Sequence, residues 1–241
     1  MNLSHLKGKS ALITGGSRGI GKSIAVFLAR NGVNVCIAGR NRNTLEQALA
    51  ELKTYNSGCM GIRCDVRSFG EQTGMFKQIK DSFGGLDICI PNAGEATLAC
   101  ATDTSLEAWN RDIETNLTGL FITSTEALKI MKEQKSGSII GIVSKAGKSA
   151  FYLRASYCAS KWGALGFLKC LAIEAKNHDV KVTALCPASV ATDFQKSNPA
   201  GTDWMMPPES VAEAVGYILS LDKSSYIDEL VLSTWTKPEK K

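Results

Sequence analysis

The sequence predicts an α/β fold built on a doubly wound sheet of seven parallel strands. Short runs of apolar and β-branched residues alternate with longer helical patterns along the whole chain, as they do in repeated βαβ units. Several runs, such as residues 139–143, are apolar at nearly every position, which is expected of strands that helices cover on both faces. The chain has 241 residues, of which 44% are apolar, so we expect one domain, residues 1–241, with its own core.

Seven segments have the composition and length of strands. We expect them at residues 11–14, 33–38, 59–64, 86–90, 138–143, 180–186 and 229–232, with helices filling most of the intervals. One segment, residues 193–208, breaks the alternation, because prolines and a glycine surround Phe194 and Trp204. We interpret this segment as a mobile, partly apolar flap.

The composition argues against several classes of partner and site. The 28 basic and 23 acidic side chains give a net charge of +5 that is spread along the chain, so we expect no nucleic-acid partner. The eight cysteines are scattered without a C-x-x-C pair, and there are only two histidines, so we expect buried reduced thiols and no metal site. No apolar run approaches the ~18 residues of a membrane span, and we expect a cytoplasmic protein with no membrane partner.

A glycine-rich turn directly follows the first strand and precedes a helical pattern. Glycines let the backbone turn tightly and approach an anion, which then faces free N–H groups and the positive end of the helix dipole. An ordinary glycine turn is the alternative, but the position after the first strand of a βαβ series favours a dinucleotide phosphate site. The candidate cofactor residues in this turn are Gly15, Ser17, Arg18, Gly19, Ile20 and Gly21.

The charge pattern after this turn favours NADP(H) over NAD(H). Folds that bind NAD commonly place an acid about 20 residues beyond the glycine turn, where it binds the ribose 2′-hydroxyl. No Asp or Glu occurs between residues 21 and 45, and the second strand ends near Arg40. Arg40 and Arg18 can form charge-assisted hydrogen bonds to a 2′-phosphate. The alternative is that both arginines are solvated surface charges.

A tyrosine and a lysine, Tyr157 and Lys161, stand four residues apart at the start of a predicted helix. This spacing puts both side chains on one face, where the ammonium group is expected to lower the pKa of the phenol from about 10. Such a phenol can give a proton to a carbonyl oxygen during hydride delivery, and Ser144, thirteen residues upstream, can hydrogen-bond the same oxygen. Taken alone, the pair also fits two exposed residues of a helix.

Together these residues resemble the short-chain dehydrogenase/reductase family, in its single-domain, NADP-preferring branch with a Rossmann-like fold. Residues 14–21 are similar to the family's TGxxxGIG loop, and residues 157–161 are similar to its YxASK segment, with Ser144 at the usual distance upstream. The resemblance implies that Tyr157 is the acid or base, that Lys161 also holds the nicotinamide ribose, and that Ser144 positions the carbonyl group.

Further segments extend the resemblance along nearly the whole chain. Asn116 matches the asparagine that completes the family's catalytic tetrad by holding a proton-relay water. Other matching positions imply contacts with the rest of the cofactor: Asp65 and Val66 with adenine, Asn92, Ala93 and Gly94 on the adenosine side, and Pro187, Val190 and Thr192 with the nicotinamide carboxamide.

Two positions depart from the family pattern. Pro91 stands where many members have a second asparagine, so one bracing side chain is missing. Ala188 stands where the family usually has glycine, and its Cβ would cost roughly 1–2 kcal/mol if the backbone there were left-handed. Neither change removes a member of the tetrad, so we expect an active enzyme.

The resemblance implies an oxidoreductase that reduces a ketone or aldehyde with NADPH and that can work in reverse as an alcohol dehydrogenase. Within the same class, a 3-oxoacyl-[acyl-carrier-protein] reductase is the alternative. An alternative of another class is a catalytically silent scaffold that binds NADP. Such scaffolds typically lose the tyrosine or the lysine, and both are present here.

The substrate and the assembly are less constrained. We expect an apolar carbonyl substrate, because Phe151, Tyr152 and Leu153, in the loop before Tyr157, should face the flap. Lys145 and Lys148 in the same loop either attract an acidic group of the substrate or are solvated. The helices that carry Asn116 and Tyr157 resemble those that pair between subunits in the family, which implies a homodimer or homotetramer.

Overall fold

The computed structural model describes residues 2–195 and 202–235. Seven strands run through these residues: β1 (Ser10–Thr14), β2 (Asn34–Gly39), β3 (Met60–Arg63), β4 (Ile88–Ile90), β5 (Gly137–Ile142), β6 (Val180–Pro187) and β7 (Glu229–Leu232). They alternate with α1 (Gly19–Arg30), α2 (Arg42–Tyr55), α3 (Phe69–Phe83), α4 (Leu106–Ile113), α5 (Gly119–Gln134), α6 (Ala155–Lys176) and α7 (Pro208–Ser220). The bounds of each strand differ from the predicted bounds by at most two residues.

The strands form one parallel sheet in the order β3-β2-β1-β4-β5-β6-β7. The predicted α/β fold with a doubly wound, seven-stranded parallel sheet is therefore confirmed. β1 lies between β2 and β4, so the chain leaves β1 towards one side of the sheet and returns later on the other side. The carboxyl ends of strands at such a switch point open into a crevice, where α/β proteins of this kind bind ligands.

Two apolar cores cover the two faces of the sheet. Successive side chains of a strand point to opposite faces, so neighbouring residues of β1 belong to different cores. Ile13 packs in a core with α1, α2 and α7, whereas Leu12 packs in a core with α3, α5 and α6. This two-sided burial explains why the strand sequences are apolar at nearly every position.

The predicted flap at 193–208 is only partly described. A short 3₁₀ turn covers Asp193–Gln195, and the chain resumes at residue 202, leads into α7 and pairs with the segment after β6 through the bridge between Val190 and Met206. Residues 196–201, with Pro199 and Gly201, lie outside the described residues. The extent and the mobility of the flap therefore stay predictions.

All eight cysteines are free thiols. Burial is confirmed for five of them, whereas Cys158 is partly exposed and Cys100 and Cys170 are exposed, so for these the expectation is wrong.

Within the ranges that the structure describes, no group of three His, Cys, Asp or Glu side chains is arranged to hold a metal ion. Nor does any helix in those ranges combine the length and the apolar character needed to cross a membrane.

Candidate active site

A cavity of about 1040 Å³ opens at the carboxyl ends of the central strands. It is lined by every predicted cofactor residue and by three of the four predicted catalytic residues. The predicted residues on its walls are Gly15, Ser17, Arg18, Gly19, Ile20, Gly21, Arg40, Asp65, Val66, Asn92, Ala93, Gly94, Ser144, Tyr157, Lys161, Pro187, Val190 and Thr192. The fourth predicted catalytic residue, Asn116, is completely buried behind the wall.

The glycine turn after β1 requires glycine at two positions for different reasons. Gly15 has a φ of +65°, which side chains rarely allow, and a Cβ there would lie 3.0 Å from the Cα of Ala93. Gly21 does not have a positive φ, but a Cβ there would lie 2.4 Å from the side-chain amide nitrogen of Asn92 and 2.4 Å from the carbonyl oxygen of Gly15. The turn therefore packs directly against the loop after β4. Because α1 begins at Gly19, the N–H groups of its first turn stay available to an anion in the cavity.

Asn92 braces the two central loops without a second asparagine beside it. Its side-chain amide donates to the Thr14 carbonyl at 2.9 Å, and the Thr14 hydroxyl accepts from the backbone N–H groups of Asn92 and Ala93 at 3.0 and 3.1 Å. Pro91 contributes through its carbonyl, which accepts from the Ile142 N–H at 2.9 Å. The bracing function is thus carried by Thr14 and Asn92.

Ala188 causes no strain. In the described part of the chain, only Lys135, Leu153 and Asp179 among the residues other than glycine have a positive φ, so Ala188 is not left-handed. Its N–H donates to the Leu232 carbonyl of β7 at 2.8 Å, which holds the loop after β6 in place. The cost that would follow from a left-handed alanine does not arise.

The end of the cavity that is predicted to hold adenosine carries several charged side chains. Arg18 is exposed on its wall, and the guanidinium of Arg40 forms an ion pair with the Glu95 carboxylate. Asp65, the predicted adenine contact, is bound by the Arg67 guanidinium at 2.6 Å. This hydrogen-bonded pair lowers the pKa of the Asp65 carboxyl group. Arg40 is therefore a paired side chain rather than a freely solvated one.

Lys161 brings an amine into the floor of the cavity. It lies one turn after Tyr157 on α6, is 3% exposed, and donates from Nζ to the Ile142 carbonyl at 3.1 Å. Its Nζ lies 5.8 Å from the centre of the Tyr157 ring. Burial disfavours the charged amine and lowers the pKa of Lys161 to about 8.

The pKa of Tyr157 is raised, not lowered. Partial burial of the phenol disfavours the tyrosinate and outweighs two opposing effects, a hydrogen bond with the Ser144 hydroxyl and the nearby charge of Arg154. The Arg154 guanidinium lies 5.9 Å from the ring centre. The expectation of a lowered pKa for this phenol is therefore wrong, because desolvation is the larger effect.

Asn116 lies in a π-helical turn, Glu114–Thr118, between α4 and α5. Its side-chain amide donates to the Glu95 carbonyl at 2.8 Å and to the Ser160 hydroxyl at 2.9 Å, and its Oδ1 accepts from the Glu95 N–H at 2.8 Å. The side chain thus ties the loop after β4 to α6, the helix of Tyr157 and Lys161. That Asn116 also holds a relay water stays a prediction.

Two polar side chains of the site have no motif in the sequence that predicts them. Asp112 is completely buried and accepts hydrogen bonds from the Ser156 hydroxyl at 2.6 Å and the Thr97 N–H at 3.0 Å, so it ties α4 to the start of α6. Thr115 lies on the cavity wall, and its buried hydroxyl has no hydrogen-bond partner among the described residues. Only its position beside Asn116 could have drawn attention to Thr115.

These features fit a dinucleotide. The glycines of the turn let its backbone line the cavity, the first turn of α1 offers N–H groups, and the buried hydroxyl of Thr115 lacks a hydrogen-bond partner among the described residues. The glycine backbone and the N–H groups of α1 together suit a phosphate of the dinucleotide.

The outer part of the cavity is aromatic. Phe151, Tyr152, Phe194 and Trp204 all line it, and the centre of the Phe194 ring lies 5.9 Å from that of Tyr157. The loop before Tyr157 and the described part of the flap therefore face the same space.

The two lysines of this loop differ in their surroundings. Lys145 lines the cavity. Lys148 instead pairs with Glu229 of β7, whose carboxylate also binds Lys169 at 2.8 Å. The hypothesis that Lys148 attracts an acidic substrate is therefore not supported, because its ammonium group binds Glu229 and its side chain is not among those that line the cavity.

The chain is similar to several known proteins. The model of a family described as short chain dehydrogenase matches residues 9–203. A 3-oxoacyl-[acyl-carrier-protein] reductase of Synechocystis sp. is 32% identical over 233 residues, which cover 93% of this chain and 94% of that protein. A short-chain type dehydrogenase/reductase from Mycobacterium marinum has a similar crystal structure, with a TM-score of 0.88, 30% identity and 96% of each chain covered. The actinorhodin polyketide ketoreductase, crystallised as a variant with NADPH, has a TM-score of 0.86 and 29% identity, covering 93% of this chain and 95% of its own.

Proposed function

The chain belongs to the short-chain dehydrogenase/reductase family of oxidoreductases, and we propose that it uses NADPH to reduce a ketone or aldehyde to an alcohol and catalyses the reverse oxidation. One observation carries this proposal. Ser144, Tyr157 and Lys161 lie on the wall of the cavity that the glycine turn also lines. A proton donor and a dinucleotide-binding turn thus share one space, which carbonyl reduction requires.

The chain's own residues account for the proton in this reaction. When bound, the nicotinamide ring supplies the hydride that reaches the carbonyl carbon. The Ser144 hydroxyl and the Tyr157 phenol hydrogen-bond the carbonyl oxygen, and the phenol gives its proton to that oxygen as negative charge develops there. The raised pKa of Tyr157 keeps the phenol protonated at neutral pH, which suits an acid in the direction of reduction. The nearby amine of Lys161 then stabilises the tyrosinate that remains.

The residues that would hold the dinucleotide follow the cavity wall. The turn from Gly15 to Gly21 suits the pyrophosphate, and Arg18 with Arg40 suits the 2′-phosphate of NADP(H). Asp65 and Val66 are proposed for adenine, Lys161 for the nicotinamide ribose, and Pro187, Val190 and Thr192 for the carboxamide. The preference for NADP(H) is supported by the absence of an acid between residues 21 and 45 and by the NADPH in the crystal structure of the related ketoreductase.

A 3-oxoacyl thioester is the candidate substrate that the relatives favour. The relative from Synechocystis is named as a 3-oxoacyl-[acyl-carrier-protein] reductase, and the similar crystal structure is of a polyketide ketoreductase. The aromatic side chains of Phe151, Tyr152 and Phe194 at the outer part of the cavity supply an apolar surface along which an acyl chain can lie.

The proposal is tested by a substitution that removes only the proton donor. We expect Tyr157→Phe to lower kcat by about 10²–10⁴-fold, the usual contribution of a positioned acid, while the dissociation constant for NADPH changes little. Turnover is followed as NADPH oxidation over a panel of ketones, aldehydes, quinones and 3-oxoacyl thioesters, and binding is followed by NADPH fluorescence. Tyr217→Phe, at an exposed position of α7, is the matched control and should behave as the wild type.

Two results would contradict the proposal. Retained turnover in Tyr157→Phe would reject the phenol as the acid. A wild-type protein that binds NADPH but oxidises it with no member of the panel would favour the alternative of a silent NADP-binding scaffold.

A further inference from the structure

Glu95 connects the adenosine end of the cavity with the predicted catalytic end. Its carboxylate contacts the Arg40 guanidinium through Oε1 and Nη2, and its other oxygen lies 3.5 Å from Nε of Arg111. Its backbone N–H and carbonyl are both held by the Asn116 amide at 2.8 Å. The backbone of Glu95 is thus fixed from behind, and only its side chain reaches towards Arg40.

The ion pair between Arg40 and Glu95 crosses the cavity. Arg40 directly follows β2, and Glu95 lies in the loop after β4, whereas β1 lies between these two strands in the sheet. Neighbouring strands are about 4.8 Å apart, so the pair bridges roughly 10 Å above the carboxyl end of β1. That end carries the glycine turn, and both residues of the pair line the same cavity as the turn.

The Glu95 carboxylate and a bound 2′-phosphate would compete for the Arg40 guanidinium. A 2′-phosphate bound by Arg40 needs the guanidinium that Glu95 contacts, and it would also be repelled by that carboxylate. NAD(H) has no 2′-phosphate and therefore does not compete for Arg40. Arg111 already lies beside the second carboxylate oxygen of Glu95. It can therefore pair with this carboxylate when Arg40 binds the phosphate instead.

We propose that Glu95 is a specificity-determining residue that competes with the 2′-phosphate of NADP(H) for Arg40. This inference rests on the proposed binding of NADP(H). Glu95 holds Arg40 in the free protein, turns to Arg111 when the phosphate arrives, and thereby lowers the affinity for NADP(H) but not for NAD(H). Arg18, which is exposed on the cavity wall, receives the phosphate together with the released Arg40.

The test removes the charge of Glu95 and keeps its shape. We expect Glu95→Gln to bind NADPH and 2′,5′-ADP about three- to tenfold more tightly than the wild type, and to bind NADH and 5′-ADP with unchanged affinity. Dissociation constants are measured by NADPH and NADH fluorescence and, for the two fragments, by titration calorimetry. Glu46→Gln is the matched control, because Glu46 pairs with Arg42 on the exposed face of α2 at 2.9 Å and its loss changes the net charge equally.

A second pair of variants separates the outcomes. When Arg40 is replaced by methionine, Glu95→Gln should no longer change the dissociation constant for NADPH appreciably, since the two residues act through one contact. Glu95→Ala should tighten NADPH binding in the same direction if the amide variant folds poorly. Equal effects of Glu95→Gln and Glu46→Gln, or equal changes for NADPH and NADH, would overturn the inference. A wild-type protein that binds neither NADPH nor 2′,5′-ADP would instead overturn the proposed function.

Discussion

At the scale of the residue, Lys161 combines a charge with nearly complete burial. Its pKa of about 8 in the folded protein lies below the value of about 10.4 expected in the unfolded chain. Between these values the unfolded state binds more protons, so the contribution of Lys161 to the free energy of unfolding rises with pH. Below pH 8 the buried charge costs the folded protein its full penalty, which is on the order of 3 kcal/mol.

This difference predicts how Lys161→Met changes stability. At pH 7 the variant avoids the penalty of the buried charge, which raises its free energy of unfolding relative to that of the wild type. We expect this advantage to disappear as the pH rises from about 8 to about 10.5. The variant also loses the hydrogen bond that Lys161 Nζ donates to the Ile142 carbonyl, which offsets part of its gain. Urea unfolding of both proteins at several pH values measures the difference, with Lys132→Met on the exposed side of α5 as the control. A difference that stays constant with pH would contradict the prediction.

At the scale of the element, the start of α6 is held by a buried carboxylate on α4. Asp112 accepts hydrogen bonds from Ser156 and from Thr97, and Ser156 immediately precedes Tyr157. The contact therefore sets where the first turn of α6 lies relative to the cavity. The π-helical turn after α4 adds a second tie through Asn116 and Ser160.

Removing this carboxylate leaves buried donors without an acceptor. We expect Asp112→Ala to lower the free energy of unfolding by about 2–4 kcal/mol, since each unsatisfied buried group costs roughly 1–3 kcal/mol. It should also lower kcat, because Tyr157 loses its support. Asp103→Ala, at an exposed 3₁₀ turn, is the control and should change stability by no more than about 0.5 kcal/mol. Thermal or urea unfolding measures the free energy of unfolding of both variants. Equal losses of this free energy in Asp112→Ala and Asp103→Ala would contradict the prediction.

At the scale of the whole molecule, α5 and α6 present large apolar side chains to solvent. Phe121, Trp162 and Ile173 are 47%, 55% and 75% exposed, and the Phe121 ring packs edge-on against Phe167 at 5.3 Å between ring centres. An exposed apolar surface of this kind is typical of an interaction site. It lies on the helices that the family resemblance assigns to subunit pairing.

We therefore expect a homodimer or homotetramer in solution. Sedimentation velocity at micromolar concentration should give a mass that is a multiple of 25.8 kDa, and Phe121→Glu should shift the protein towards the monomer, since a buried charge without a partner is unfavourable at an interface. Phe69→Glu, on α3, carries the same change at another exposed phenylalanine and should leave the assembly intact. A monomeric wild-type protein would contradict the expectation.

The sequence alone determined those features that depend on local pattern. Each strand could be located to within two residues, because burial on both faces leaves a run of apolar residues in the chain itself. The glycine turn and the pair of Tyr157 and Lys161 were visible for a similar reason, since a tight turn needs glycine and one helical turn sets a spacing of four residues. These features predicted the turn and the pair on the cavity wall, whereas most of the remaining cavity residues were predicted from the resemblance to the family.

Only the tertiary structure decided what those side chains do to one another. Arg40 meets Glu95 across 55 residues, Asp112 meets Ser156 across 44, and Lys148 meets Glu229 across 81. No local pattern records such pairs, because they arise where separate strands and helices end side by side. The pKa of Tyr157 moves opposite to the expectation for the same reason, since desolvation depends on how the whole chain packs around the phenol and not on the lysine one turn away.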